Sequence, residues 1–202
     1  MCDGEFINGH FEGKGKYIYE DGEYYIGEFK GSLRNGNGIL YYSNGNIKYE
    51  GEFVNDKYEG RGKSINENGV YYIGQWKNGL RNGKGTNYYS NGKIMYNGEF
   101  VNDLFEGKGK FIFDDGEYYI GHWKNGLYHG KGIEYFSNGN IKYDGECIDG
   151  KREGKGKYIY EDGTYYIGYW KNGLFHGKGI LYYSNGSIMC KGKFYNNKLI
   201  GK

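Results

Sequence analysis

The sequence predicts an all-β protein: an elongated single antiparallel sheet of tandem β-hairpins, twisted or curved, with an aromatic groove along one face. Three observations predict it. Nine glycines (Gly4, Gly27, Gly51, Gly74, Gly98, Gly121, Gly145, Gly168 and Gly192) follow one another at steps that alternate between 23 and 24 residues. Each has an aromatic residue two positions before and two after it, except where Cys2, Cys147 and Cys190 stand in that place. Spacing of i, i+2, i+4 puts such a triplet on one face of an extended strand. Turn signals also recur about every dozen residues, the rhythm of an all-β chain.

Each unit justifies its elements in turn. The first strand has the form Tyr25-Ile26-Gly27-Glu28-Phe29. A tight turn follows, clearest as Asn78-Gly79, Asn125-Gly126 and Asn172-Gly173, because Asn-Gly accepts the positive φ that a two-residue hairpin needs. Ser32, Asp56 and Asp103 replace that turn glycine, so wider turns are expected there. The second strand begins with a paired glycine, as in Gly13-Lys14-Gly15-Lys16-Tyr17-Ile18-Tyr19. Glycines weaken a strand, but bare backbone lets a neighbouring ring lie flat on it. A second turn closes the unit, as Asp21-Gly22, Asn44-Gly45, Asp115-Gly116 or Asn185-Gly186. The 24th residue falls just after this turn in every even unit, where a bulge would absorb it. The true period is therefore 47 residues, a pair of hairpins.

The whole chain, 1–202, reads as one array with units starting near residues 2, 25, 49, 72, 96, 119, 143 and 166, and a partial unit over 190–202. Some seventeen strands at roughly 4.8 Å spacing would make a ribbon about 80 Å long.

Forty glycines with no proline and no triplet period exclude collagen, and 20% aromatic residues argue against disorder. A net charge of +2 gives no overall field for a polyanion. The segment Met1-Cys2-Asp3-Gly4-Glu5-Phe6 lacks the basic and apolar regions of a signal peptide. No stretch approaches the roughly 18 apolar residues of a membrane span. Three scattered cysteines form neither a disulfide framework nor a zinc pattern. A cytoplasmic protein of a reducing compartment is expected.

Lys14, Arg61, Lys84, Lys108, Lys131, Lys155 and Lys178 occupy the middle of the paired glycines, on the opposite face from them. Glu5, Glu28, Glu52, Glu99 and Glu146 share that face on partner strands. Cross-strand pairing would neutralise it, so no nucleic acid is expected. Gly60-Arg61-Gly62-Lys63-Ser64 and Gly79-Leu80-Arg81-Asn82-Gly83-Lys84-Gly85-Thr86 imitate phosphate loops. Neither has the full spacing or a following helix. His129 and His176 recur at one position without carboxylate or thiol at ligand spacing. No catalytic residue, metal ligand or cofactor is expected.

The frame Tyr119-Ile120-Gly121-His122-Trp123-Lys124-Asn125-Gly126-Leu127-Tyr128-His129-Gly130-Lys131-Gly132, repeated from Tyr166 to Gly179, resembles the MORN repeat (membrane occupation and recognition nexus). The resemblance covers essentially the whole chain. It implies a non-catalytic scaffold or adaptor that organises membrane-associated or cytoskeletal structures, and histidine is common before the paired glycine in that family. Two further roles are implied: a peripheral module binding anionic phospholipid, which the balanced charge weakens, and a regulatory subunit of a separate enzyme. Choline- and wall-binding repeats are similarly aromatic but are usually exported.

On this reading the partner protein, a helix or extended peptide, would contact Tyr25, Phe29, Tyr49, Phe53, Tyr72, Trp76, Tyr96, Phe100, Tyr119, Trp123, Tyr166 and Trp170. These rings would also cover the glycine backbone, and Tyr and Trp dominate binding hot spots. A homodimer would form through Phe194, Tyr195, Leu199 and Ile200, because edge strands invite pairing.

Overall fold

The computed structural model describes residues 2–201, and of Cys2 only the backbone. The expectation that the Cys2 side chain takes the tyrosine position therefore lies outside the described residues. Among the described residues the chain is all-β and antiparallel, with eighteen strands and no helix. The one more than expected is a short last strand. The chain divides into two compact units after Leu104, the first residue of the strand that opens the second.

The first unit holds β1 (Cys2–Ile7), β2 (His10–Ile18), β3 (Tyr24–Lys30), β4 (Leu33–Tyr41), β5 (Ile47–Val54), β6 (Lys57–Ile65), β7 (Tyr71–Lys77), β8 (Leu80–Tyr88) and β9 (Ile94–Val101). In the second are β10 (Leu104–Ile112), β11 (Tyr118–Lys124), β12 (Leu127–Tyr135), β13 (Ile141–Ile148), β14 (Lys151–Ile159), β15 (Tyr165–Lys171), β16 (Leu174–Tyr182), β17 (Ile188–Tyr195) and β18 (Lys198–Gly201). Within each unit every strand pairs with its neighbours in chain order.

The first turn of each unit is a two-residue hairpin. Asn78 and Gly79 sit at φ of 53° and 85° between the paired Lys77 and Leu80, the geometry of a type I′ turn. Contrary to expectation, Ser32, Asp56 and Asp103 do not widen it. Asn55 and Asp56 take φ of 48° and 66° between the paired Val54 and Lys57. Aspartate tolerates this region because its short side chain finds a local partner. Here the Asp56 Oδ1 accepts the Arg34 backbone N–H at 2.9 Å and the Arg34 Nε–H at 3.0 Å. Asp103 holds Arg81 in the same way. Ser32 accepts the N–H of Phe11, and Asn197 that of Phe175.

Alternate units use the other partner. Glu12, Glu59, Glu106 and Glu153, spaced by 47 residues, accept the N–H of Gly31, Asn78, Asn125 and Asn172 at the next turn. Each hairpin tip is thus fastened to the unit before it.

The predicted bulges are present. In β5 the register passes from Ile47 to Tyr49 against consecutive Tyr41 and Leu40, leaving Lys48 as the extra residue. Met95, Lys142 and Met189 occupy the same place in their units. A second bulge was not foreseen. The first glycine of each pair, such as Gly36 at φ 90°, is an extra residue opposite Glu28 rather than part of the ring's bed.

The second glycine of the pair and the nine-fold glycine do form that bed. Gly27 and Gly38 are directly paired, and a Cβ on Gly27 would lie 2.6 Å from the Gly38 Cα and closer still to the Tyr25 ring. The ring therefore presses on bare backbone, and its hydroxyl donates to the Glu28 carbonyl at 3.2 Å. The same bond runs from Tyr49, Tyr72, Tyr96, Tyr119, Tyr143 and Tyr166. A second ring covers the first: Tyr58 stacks on Tyr49 at 3.7 Å, and Phe175 on Tyr166 at 3.7 Å. A ring from the next unit closes the edge, as Trp76 does to Tyr49 and Trp170 to Tyr143. The Nε1–H of Trp76, Trp123 and Trp170 donates to the carbonyls of Gly62, Gly109 and Gly156.

This bed sets the alkaline limit of the fold. Burial pushes the hydroxyls of Tyr25, Tyr58, Tyr72 and Tyr166 up to about 12, and those of Tyr49, Tyr119 and Tyr143 up as well. A raised folded value means stability that is full below the ordinary 10 and is lost as pH rises toward 12. Tyrosinate absorbance should show the buried set ionising only with loss of the β-sheet circular dichroism. A non-cooperative titration of all the tyrosines would contradict the burial. Gly38→Ala, which drives a methyl into the Tyr25 ring, should cost about 1–3 kcal/mol or more in urea unfolding. Gly79→Asp, at a turn with open space around it, should cost less than about 1 kcal/mol. Equal losses would refute the assignment.

Candidate partner-binding faces

Strand alternation gives each unit a ring face and a back face. On the ring face, the twelve rings expected to contact a partner are all buried, from 0% exposed for Tyr25, Tyr49, Tyr96, Tyr119 and Tyr166 to 8% for Trp76. They form the floor. Tyr143 and Cys147 complete it in the second unit, where the core gathers Tyr143, Cys147, Tyr166, Trp170, Phe175 and Phe194. Burial raises the Cys147 thiol to about 12, so this cysteine packs as a small apolar group rather than reacting.

Above the floor stands a second row at another fixed position: Tyr19, Tyr42 and Tyr89 in the first unit, and Phe113, Phe136, Tyr160 and Tyr183 in the second. Phe113, Tyr160 and Tyr183 are exposed. Phe111 supports Phe113 at 4.9 Å, and Tyr158 supports Tyr160 at 4.8 Å. A signal for this row was present. Gly15, Tyr17 and Tyr19 have the same i, i+2, i+4 parity that identified the first-strand rings.

Charge on the ring face is paired internally. In the first unit Arg34 meets Asp56 at 3.0 Å and Lys48 meets Glu23 at 2.6 Å, with Lys48 also over the Tyr42 ring. These residues line a depression with Tyr19 and Tyr58. In the second unit Lys142 meets Glu117 at 2.5 Å, and Arg152 grips Glu134 through two nitrogens, 2.6 and 3.3 Å away. Arg152 is half-buried between Tyr143 and Tyr158. Burial opposes its charge, but the bond to Glu134 outweighs that and raises its value.

On the back face, the lysine between paired glycines opposes a glutamate three times, at Lys14/Glu28, Lys84/Glu99 and Lys131/Glu146. Elsewhere the expected pairing is replaced: Lys108 faces His122, Lys155 faces Tyr169 and Lys178 faces Lys193. A motif of tyrosine pairs repeats there at 47-residue intervals. Tyr24 stacks on Tyr41 at 4.5 Å with Lys16 over its ring, and Lys63/Tyr71/Tyr88, Lys110/Tyr118/Tyr135 and Lys157/Tyr165/Tyr182 do the same.

The two recurrent histidines are structural in setting. His129 Nδ1 lies 3.5 Å from Asp149, and His176 packs on Tyr195. Among the described residues no three His, Cys, Asp or Glu side chains gather as a metal site. The Asn185-Gly186-Ser187 sequence is a turn in which Asn185 accepts both the N–H and the hydroxyl of Ser187. Among the described residues no helix is long and apolar enough to cross a membrane.

Among solved structures, the chain is similar to a protein of unknown function from Bacteroides caccae, at 12% identity and a TM-score of 0.22 over 90% of this chain and 66% of that one. That likeness carries no argument. No curated protein matches the chain. The family model described as MORN repeat matches eight times, over residues 2–24, 25–47, 49–71, 72–94, 96–118, 119–141, 143–165 and 166–188. Together these matches span nearly all of the sheet. The MORN repeat is a non-catalytic module that commonly binds proteins or membranes. With its glycine bed, stacked rings and eightfold match, the chain belongs to the MORN-repeat family.

Proposed function

We propose that this chain is a non-catalytic scaffold whose ring face holds a helix or extended segment of a partner protein. One observation carries the reading: exposed rings at a fixed position stand on a floor of buried rings, while the charges beside them are already paired. A face of that kind offers rigid apolar contact at low ordering cost, the character of binding hot spots. The floor rings hold the contact rings in place rather than touching the partner. Co-purification from the native cell tests this. Phe113→Ala, Tyr160→Ala and Tyr183→Ala together should lose the partner while the sheet signal is kept. Retention of the partner by this folded variant would sink the reading.

The scaffold reading extends to a second copy of the chain. At β17–β18, Tyr195 is 56% and Ile200 58% exposed, with Leu199 beside them, whereas Phe194 belongs to the core. The exposed three would meet their counterparts. Sedimentation at tens of micromolar should give a dimer that Tyr195→Ser with Ile200→Ser dissociates; a monomeric parent chain would end this part of the proposal.

A further inference from the structure

The back face of the second unit differs from that of the first in charge, although the two share one frame. Successive registers across β10 to β17 bring the exposed residues Lys108, Lys131, Lys155, Lys178 and Lys193 along one row, with two acids, Glu146 and Glu153, set opposite each other. The equivalent row of the first unit carries Lys14, Arg61 and Lys84 against Glu5, Glu12, Glu28, Glu52, Glu59 and Glu99. Acids outnumber bases there. One step along the strands, the second unit carries apolar pairs, Ile120 with Ile133 and Ile167 with Ile180, and Ile120 and Ile167 are more than two-fifths exposed.

We propose that this back face docks an acidic amphipathic helix of a partner protein, apart from the ring face. The lysines at 131, 155 and 178 stand on alternate strands, so they recur roughly every 9.6 Å. Seven residues of α-helix rise about 10.5 Å, so glutamates one heptad apart follow the lysines. The two isoleucine pairs lie in a parallel row about 7 Å away, with Asp144 and Lys157 between them, where the adjacent apolar stripe of such a helix lies. A nucleic acid would use the lysines and leave the isoleucines without a role. The ammonium of Lys155 also lies 5.5 Å over the Tyr169 ring, itself 43% exposed, which widens the contact surface beyond charge.

The test uses the full chain and four probes: a helical peptide with Glu at every seventh position beside a Leu stripe, the same peptide with Lys for Glu, phosphatidylserine vesicles, and a single-stranded oligonucleotide. The Glu peptide should bind, weaken with salt, and lose at least about tenfold in affinity when Lys131→Gln, Lys155→Gln and Lys178→Gln are combined. Lys14→Gln with Arg61→Gln and Lys84→Gln should leave it unchanged. Lys178→Glu alone, a single exposed change, should give a smaller loss and provides a second reading should the triple variant not fold. Equal binding to both triple variants, or tighter binding of the Lys peptide, the vesicles or the oligonucleotide, would overturn the proposal.

Discussion

A tyrosine ring lying flat on two paired glycines is the contact on which everything else depends. A lone sheet has no opposing layer, so it must bury apolar area against itself. Removing two Cβ atoms, as at Gly27 and Gly38, lets Tyr25 reach the backbone, and the hydroxyl then spends its polarity on the Glu28 carbonyl. The ring ends fully buried without a second sheet. This explains why glycine, usually a liability in strands, is so abundant here.

The bed alone would leave hairpins free to swing, and the turn contacts prevent that. Glutamates reach forward from odd units, and Asp56, Asp103 and Asn197 reach back from later ones. Both devices satisfy a backbone N–H at the hairpin, where an unmet donor would be costly. The bulge residue shows a related pairing. Where it is lysine, at 48 and 142, the preceding turn supplies Glu23 and Glu117. Where it is Met95 or Met189, the equivalent positions hold Val70 and Thr164. A charge placed on the ring face thus comes with its counter-charge, consistent with the cost of leaving one unpaired there.

The repeat was legible in the sequence because its causes are local. Glycine spacing, strand parity and Asn-Gly turns each depend on a few adjacent residues, so the hairpin repeat and the extra residue after the second turn of each even unit could be read directly. What failed depended on contacts between units. Asp56 looked like a widened turn because its partner, Arg34, lies 22 residues away. The floor rings looked available because their covers, such as Tyr58 over Tyr49 and Trp170 over Tyr143, come from another strand or unit. Charge neutrality on the back face was inferred from residue types without the register, which sets Lys178 against Lys193 rather than a glutamate.

That last point separates what the fold requires from what it merely permits. The glycines, floor rings and turn donors are fixed by packing, and they recur in both units. The lysines of the back-face row touch neither the bed nor the turns, so either unit could carry them at little cost to stability. Nothing in the packing demands five lysines beside two glutamates in the second unit and an excess of acids in the first. Like charges on adjacent strands are in fact mildly destabilising, which leaves an external anionic group as the natural counterpart for the unbalanced row. Among such groups, one with an apolar stripe alongside its acids also covers the exposed isoleucines, and that is the chemistry of an acidic amphipathic helix.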